Sequence, residues 1–358
     1  MSIHLFGQEI QPETYAIAKA DMMLKGDGEE AMHIAYGSTL SSDQHAARSF
    51  DFMLANPPYG KSWKTDAERM ASGKKKEILD TRFNAATADG EPLSMIPRSS
   101  DGQLLFLLNN ISKMKQDTPL GSRIVEVHNG SSLFTGDAGS GESNARRYMI
   151  ENDLVEAIIA LPEKMFYNTG IGTFIWVLSN RKEERRKGKI QLIDATAIKT
   201  PLRKNMGEKN CELSPAQRQE IVRIFMAFEE SEVSRIFPNS EFGYWKVSVQ
   251  QPLLDEQGNP ALDKKGRIQP DKAKADTEII PFRYEGGIEA FMDAEVRPYA
   301  PGAYIDPKAT KIGYELSFTK YFYKPVQLRP MEDIVANLKA LEKETDGMLA
   351  EILGGIQG

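Results

Sequence analysis

A chain of 358 residues, 41% hydrophobic and 27% charged, has the apolar content of an ordinary globular protein and the length for two or three domains. No apolar run approaches the ~20 residues that span a bilayer and no basic-then-apolar leader opens the chain, so a cytoplasmic location is expected. One cysteine, Cys211, excludes an internal disulfide, four scattered histidines make no metal cluster, and a net charge of -6 excludes a nucleic-acid binder that works by bulk attraction.

The chain opens with an apolar stretch, Ile3 to Phe6, that reads as a strand, with Gly7 as a turn and Glu9 just past the strand end. Pro12 to Lys25 reads as a helix with proline in its first turn and Gly26 after its end. A glutamate in such a strand-to-helix turn either caps the helix or, in doubly wound nucleotide-binding folds, takes the ribose hydroxyls of a cofactor. Ile34 to Tyr36 is the next strand, followed by the loop Gly37-Ser38-Thr39-Leu40.

The stretch Phe50 to Gly60 organises the rest. Its apolar run Phe52 to Ala55 reads as a buried strand running into the turn Asn56-Pro57-Pro58-Tyr59. Each proline fixes its own torsion and restricts the residue before it, so the Asn56 and Pro57 carbonyls point in set directions. The Asn56 side-chain oxygen and the Pro57 backbone oxygen can both accept from one exocyclic NH2 group, while the Tyr59 ring offers a stacking face for a flipped purine. As a bare tetrapeptide the turn is equally well a strand terminator; the apolar strand before it and Gly60 after it favour the chemical reading.

Residues Lys61 to Arg98 are polar and include Lys74-Lys75-Lys76, which suits a surface insertion or a mobile segment ordered by a ligand. Asp101 to Lys115 is an amphipathic helix, and Arg123 to Val127, Val155 to Leu161 and Thr173 to Leu178 are strands, the last so continuously apolar that a central place is expected. Ile190 to Asp194 adds a strand, and Ser214 to Phe228 a helix begun by Ser214 with Pro215 in its first turn. Val247, Val249, Leu253 and Leu254 suggest strands around a turn, and Asp255 to Asp276 a polar hairpin or loop that includes Lys264. At the end, Met331, Ile334, Leu338, Leu341, Thr345, Met348 and Ile352 alternate three- and four-residue spacings, the seam of a helix that wants a partner helix.

The Asn56 to Tyr59 tetrapeptide resembles the catalytic motif of amino methyltransferases that use S-adenosylmethionine, most often on adenine N6 in DNA. Together with Phe6 to Ile10, Leu40 to Gly60, Asp101 to Phe106, Leu161 to Leu178 and Ile312 to Leu316, taken in that order, the chain resembles the methylation subunit of type I restriction-modification systems. The resemblance implies an α/β fold: a Rossmann-like methyltransferase core over residues 1–199, a smaller α+β region over 200–325 and a partner-binding helix over 326–358. It implies a site with Asn56, Pro57, Pro58 and Tyr59 as the catalytic turn. Glu9, Ile10, Ser38, Leu40 and Asn56 would lie about S-adenosylmethionine, and Tyr59, Lys61, Lys64 and Phe166 about DNA. Phe166 is otherwise explained as a core aromatic, and Ser38 stands where related enzymes often hold a carboxylate for the cofactor's adenine, with Asp43 nearby. The terminal helix would join a specificity subunit, with an endonuclease subunit as a further possible partner. No metal is implied.

The fold also asks for a first strand and a glycine-rich turn roughly 20 residues before the acid, and only eight residues precede Glu9. Gly136 to Gly141 precedes a helix but sits elsewhere in the family order, and Gly170-Ile171-Gly172 precedes a strand instead of following one. A core incomplete at its amino terminus, with an incomplete cofactor site, is therefore the expectation. The alternatives are a non-catalytic scaffold that has lost its cofactor, or a methyltransferase acting on RNA or on a protein glutamine.

Overall fold

The computed structural model describes residues 3–26, 28–167, 169–263, 265–323 and 330–354, without the side chains of 342, 344 and 346–354. The chain divides into two compact units, Met1–Phe318 and Thr319–Gly358.

In the first unit, β1 (Gly7–Glu9), α1 (Pro12–Leu24) and β2 (Ile34–Tyr36) form a right-sized crossover in which β1 and β2 pair in parallel as a sheet of their own. β3 (Phe52–Ala55) leads through the turn to α2 (Lys64–Met70) and the hairpin β4 (Asn84–Ala86) and β5 (Pro92–Ser94). Then come α3 (Gln103–Ser112), β6 (Arg123–Asn129), α4 (Ser131–Phe134), α5 (Gly141–Glu151), β7 (Val155–Ala160), β8 (Thr173–Ser179) and β9 (Lys189–Asp194). The hairpin β10 (Thr200–Met206) and β11 (Lys209–Glu212) precedes α6 (Pro215–Ala227) and β12 (Ser234–Pro238). A second sheet is built from β13 (Gly243–Gln250), β14 (Asp276–Pro281) and β15 (Tyr304–Tyr314), with α7 (Gly287–Phe291) between the last two; α8 (Phe318–Phe322) follows.

The main sheet has the order β12-β9-β7-β8-β6-β3. β3 is parallel to β6 and β7 to β9, while β8 runs antiparallel between β6 and β7. β7 is buried at every residue because helices and loops cover both its faces, and β8 is central, as its apolar run predicts. The sheet continues past residue 199, since β12 comes from Ser234–Pro238. The helix at Pro215 is stopped at its start by a capping box, Ser214 with Gln217. The polar stretch after Gln250 is held as a bridged loop, with Leu254 opposite Pro260 and Leu262 opposite Ile268; Lys264 lies outside the described residues.

Three expectations are corrected. The first strand is Gly7–Glu9 and not Ile3 to Phe6: Ile3 and Leu5 are exposed, and the Phe6 ring is used in stacking on His33 at 4.2 Å. β3 is not buried; it is the sheet edge, and Phe52 and Leu54 are 73% and 81% exposed while Met53 is 8% exposed. The polar segment from Lys61 is not a loose loop, since Trp63, Phe83, Leu93 and Met95 are all buried.

The residues ahead of β1 are tied down by Glu30, whose carboxylate accepts from His4 Nδ1 at 2.7 Å, the Leu5 N–H at 2.8 Å and His33 Nδ1 at 3.1 Å. The His4 and Leu5 hydrogen bonds lead in holding its pKa down to about 2. A carboxylate depressed in the folded state stabilises above its ordinary pKa of 4.5 and loses that contribution as pH falls toward 2. Thermal melts across this window should show a loss in the wild type that is smaller in Glu30→Gln; equal slopes would show that the tie contributes nothing.

Candidate active site

The parallel strand β3 ends at Ala55, opposite Glu126 of β6, and delivers the turn to the carboxyl end of the sheet. This is where ligands sit in doubly wound folds, because loops leave there and backbone groups are unpaired. Within the turn Pro57 is buried, Tyr59 half-buried and Asn56 and Pro58 exposed. Pro57 anchors the turn while the Asn56 amide faces outward. Burial pushes the Tyr59 phenol above its ordinary pKa, so the ring is neutral at physiological pH.

A polar network braces the turn from below. The Gly60 N–H donates to Asp101 Oδ1 at 3.4 Å, and Asp101 Oδ2 accepts from Gln103 Nε2 at 2.7 Å and Ser131 Oγ at 2.9 Å. Gln103 Nε2 also faces Asn129 Oδ1 at 2.8 Å, while Gln103 Oε1 accepts from the Asn129 N–H at 3.1 Å. The start of α3 and the end of β6 are thus joined beside the turn. Downstream, Trp63 packs against Gly102, where a Cβ would meet its Cδ1 and Cγ at 3.0 Å and 3.1 Å, and its indole N–H donates to the Arg98 carbonyl at 3.0 Å. Asn129, Ser131 and Trp63 were not singled out in the sequence; a lone tryptophan in a polar stretch was the available signal.

The remaining candidates are distributed as follows. Glu9 ends β1, and its Oε1 accepts from the Gln11 N–H at 2.6 Å, so one oxygen caps the turn into α1. Ile10 is exposed beside it. Ser38 is buried and its Oγ accepts from the Leu40 and Ser41 N–H groups at 3.2 Å and 3.4 Å, and Leu40 is a core residue, 2% exposed. Asp43 is committed to Lys113 at 2.6 Å and faces Arg82 at 3.5 Å. Lys61 and Lys64 are exposed next to the turn, Lys64 facing Glu68 at 3.9 Å. Phe166 is half-buried against the cluster of Ala157, Ile159 and Val177, whereas its neighbour Tyr167 is 61% exposed with Lys209 over its ring at 4.9 Å. Asn168 lies outside the described residues. Cys211 is buried and donates to the Glu163 carbonyl, as befits a passive residue.

The glycine run before α5 is explained by packing. A Cβ at Gly141 would lie 1.7 Å from the Ile96 carbonyl oxygen, and one at Gly136 would lie 2.4 Å from Ser140 Oγ. The start of α5 is filled by protein, with Ser140 as its cap. A cleft of about 730 Å³ lies at the opposite end of the strands, between Arg82, Met95, Tyr148 and Lys182, and no residue of the turn lines it.

The N-6 DNA Methylase family model matches residues 1–247. The chain belongs to that family. It is 30% identical over 194 residues to the type I restriction enzyme MjaVII methylase subunit of Methanocaldococcus jannaschii, covering 54% of this chain and 30% of that protein. To the HindI methylase subunit of Haemophilus influenzae it is 29% identical over 199 residues, covering 55% and 39%. The chain thus spans 30% to 39% of the length of these relatives. The type I restriction-modification methyltransferase subunit of Streptococcus thermophilus superposes with a TM-score of 0.53 at 24% identity, over 66% of this chain and 45% of that one, which shows the shared methyltransferase fold. Among the described residues no helix is long and apolar enough to cross a membrane and no group of side chains could hold a metal ion.

The family implies S-adenosylmethionine, and the residues present match it in part. An acid ends β1 and the Asn-Pro-Pro-Tyr turn ends β3, while among the described residues β1 pairs with β2 alone and β3 with β6 alone. Glu9 is a candidate acid for the adenosine end, and for the methionine end neither glycine run, Gly136 to Gly141 or Gly170 to Gly172, is an open turn that follows a strand.

Because the Gly141 contact is with backbone, Gly141→Ala should destabilise the fold by about 1–3 kcal/mol or more in urea unfolding. A variant as stable as wild type would reopen this run as a binding loop.

Proposed function

We propose that this chain is the base-modifying part of a type I restriction-modification methylase, one that methylates the N6 amine of a flipped adenine in DNA. The observation that carries the reading is the Asn56 to Tyr59 turn at the carboxyl end of a parallel strand in a chain of this family. S-adenosylmethionine, when bound, supplies an electrophilic methyl group. The chain's own residues act on the base. Asn56 Oδ1 and the Pro57 carbonyl take the two amine hydrogens, which draws the nitrogen lone pair out of conjugation and aims it away from the ring. Tyr59 stacks on the extruded ring, and its phenol stays neutral. Glu9 keeps one carboxylate oxygen for ribose hydroxyls, the other being used by the Gln11 N–H. Lys61 and Lys64 meet phosphate beside the turn, and with a net charge of -6 the chain leaves most of the grip on DNA to a specificity subunit.

The expected route to that subunit is the terminal helix. α9 (Met331–Gly354) is continuous, and Met331, Ile334, Leu338 and Leu341 are between 40% and 76% exposed along it. An apolar stripe of this kind is what a partner helix covers. The side chains of Met348 and Ile352 lie outside the described residues.

Transfer of tritiated methyl groups, measured with the specificity subunit present on DNA, RNA and protein, tests the chemistry. Asn56→Ala should lower the DNA rate by about 10²–10³-fold. Tyr59→Phe should remain near wild type, and Tyr59→Ala should lose the stacking, about 1–3 kcal/mol. Label appearing in RNA or protein instead would overturn the substrate. For the partner, Leu338→Glu with Leu341→Glu should abolish co-purification with the specificity subunit while leaving the circular dichroism of the first unit unchanged; retained co-purification would place the interface elsewhere.

A further inference from the structure

The β10–β11 hairpin belongs to neither large sheet, and nothing in the chemistry proposed above uses it. Its place in the fold is set by strand direction. Because β8 is antiparallel to both β6 and β7, the strands β3, β6, β7 and β9 all run the same way. The hairpin that follows β9 therefore leaves the sheet at the end that carries the Asn56 to Tyr59 turn. β9 stands four places from β3 in the sheet order, which at about 4.8 Å per strand separates the two strand ends by roughly 19 Å.

The hairpin is tied down at that end. Its Asn210 N–H donates to the Lys164 carbonyl at 3.0 Å and Cys211 Sγ donates to the Glu163 carbonyl at 3.3 Å, both in the loop between β7 and β8. From the same loop the Tyr167 phenol donates to Met206 Sδ at 3.6 Å, while Lys209 lies over the Tyr167 ring at 4.9 Å. On its other strand the Thr200 hydroxyl donates to Gln217, in the cap of α6, at 3.0 Å.

The charge on this arm is unneutralised. Lys199, Arg203 and Lys204 are exposed and enter no ion pair among the described residues, and Glu208 faces Lys164 at 4.0 Å instead. With Lys209 these cations outnumber Glu208 and Glu212 in a chain whose net charge is -6. The basic run after β8, at the opposite end of the strands, behaves differently. There Arg181 donates to the Gln116 carbonyl at 2.6 Å, Lys182 pairs with Asp153 at 2.6 Å, and Arg185 and Lys187 pair with Glu183 and Glu184 at 2.7 Å each. A braced arm with unpaired cations and an aromatic ring beside them has the make-up of a nucleic-acid contact.

We propose that the β10–β11 hairpin is a clamp on the sugar-phosphate backbone of DNA, with Arg203 and Lys204 as its phosphate contacts and Lys199 beside them. Lys61 and the hairpin then hold one duplex at two places flanking the turn. A separation of roughly 19 Å corresponds to about five or six phosphates of one strand. Backbone contacts position the duplex and carry no sequence information, so the clamp adds affinity equally for any sequence. The choice of DNA as partner rests on the function proposed above, and the test reads binding without chemistry.

The whole chain is titrated into a fluorescent duplex of about 30 base pairs, three helical turns, at salt from about 50 to 200 mM, and anisotropy reads binding. Arg203→Gln with Lys204→Gln should weaken binding about tenfold and lower the slope of log affinity against log salt by about two, one for each phosphate contact removed. Arg203→Lys with Lys204→Arg should keep the wild-type slope, because charge and not packing is what the contact uses. Lys272→Gln with Lys308→Gln removes the same charge from exposed positions of the second sheet and its connections and should leave the slope unchanged. Circular dichroism equal to wild type shows that each variant folds. No binding by the wild type, a full slope in the hairpin variant, or an equal fall in the control would overturn the clamp, as would a larger fall on duplex RNA than on DNA. Methyl transfer to RNA or protein alongside a reduced DNA slope in the hairpin variant would keep the clamp and overturn the methylation reading; methyl transfer to DNA with a full slope in that variant would do the reverse.

Discussion

Arg146 is the interaction on which the arrangement of the first unit depends. Its guanidinium is fully buried on α5 and donates to three backbone carbonyls, Tyr314 at 2.6 Å, Ser132 at 3.0 Å and Thr135 at 2.9 Å. Those carbonyls belong to the end of β15, to α4 and to the residue after it, so one side chain ties the second sheet to the loop that follows β6. Burial lowers its pKa to about 10, which still leaves it charged at neutral pH. A charge in that position is tolerable because each of the three guanidinium nitrogens finds a carbonyl acceptor, and its loss would leave three buried carbonyls without this donor. Ser143 on the same helix adds a bond to the Tyr314 N–H at 3.0 Å.

The same use of polar groups inside the sheet holds the candidate site. β6 alternates, and its inward residues include Glu126 and His128, which are joined at 2.8 Å with Asn110 of α3 donating to the same carboxylate at 2.9 Å. Further along the strand Asn129 enters the Gln103, Asp101 and Ser131 network. The strand beside the turn is therefore fixed by specific hydrogen bonds as well as by packing, which limits how far β3 and its turn can slide against it. The rigid part of the site is on the β6 side. On its other side β3 has no strand neighbour among the described residues, and Phe52 and Leu54 are exposed along it.

Most element types were legible from periodicity and punctuation. β2, β7, β8 and β9, the helix behind Ser214 and the terminal helix fall where apolar spacing and caps put them. The failures share a cause. Ile3 to Phe6 looked like a strand because it is apolar, yet Ile3 and Leu5 are exposed, Phe6 serves an aromatic cluster and the pairing begins at Gly7. Lys61 to Arg98 looked like loop because its core is made of single, widely spaced large residues, Trp63, Phe83, Leu93 and Met95, that show no period. Phe166 and Tyr167 cannot be told apart in sequence, and the fold buries one and exposes the other.

The sequence by itself determined the restricted Asn56-Pro57-Pro58-Tyr59 turn and the family resemblance it carries, because two prolines after an apolar run restrict the backbone locally and need no distant partner. Only the tertiary structure decided that Phe52 to Ala55 lies at an edge, that Gly141 at the start of α5 packs against Ile96, and that Ser38 and Asp43 are spent on internal bonds. Burial and hydrogen-bond partners are properties of neighbours far apart in sequence, and a strand's own residues do not state whether a neighbour is there.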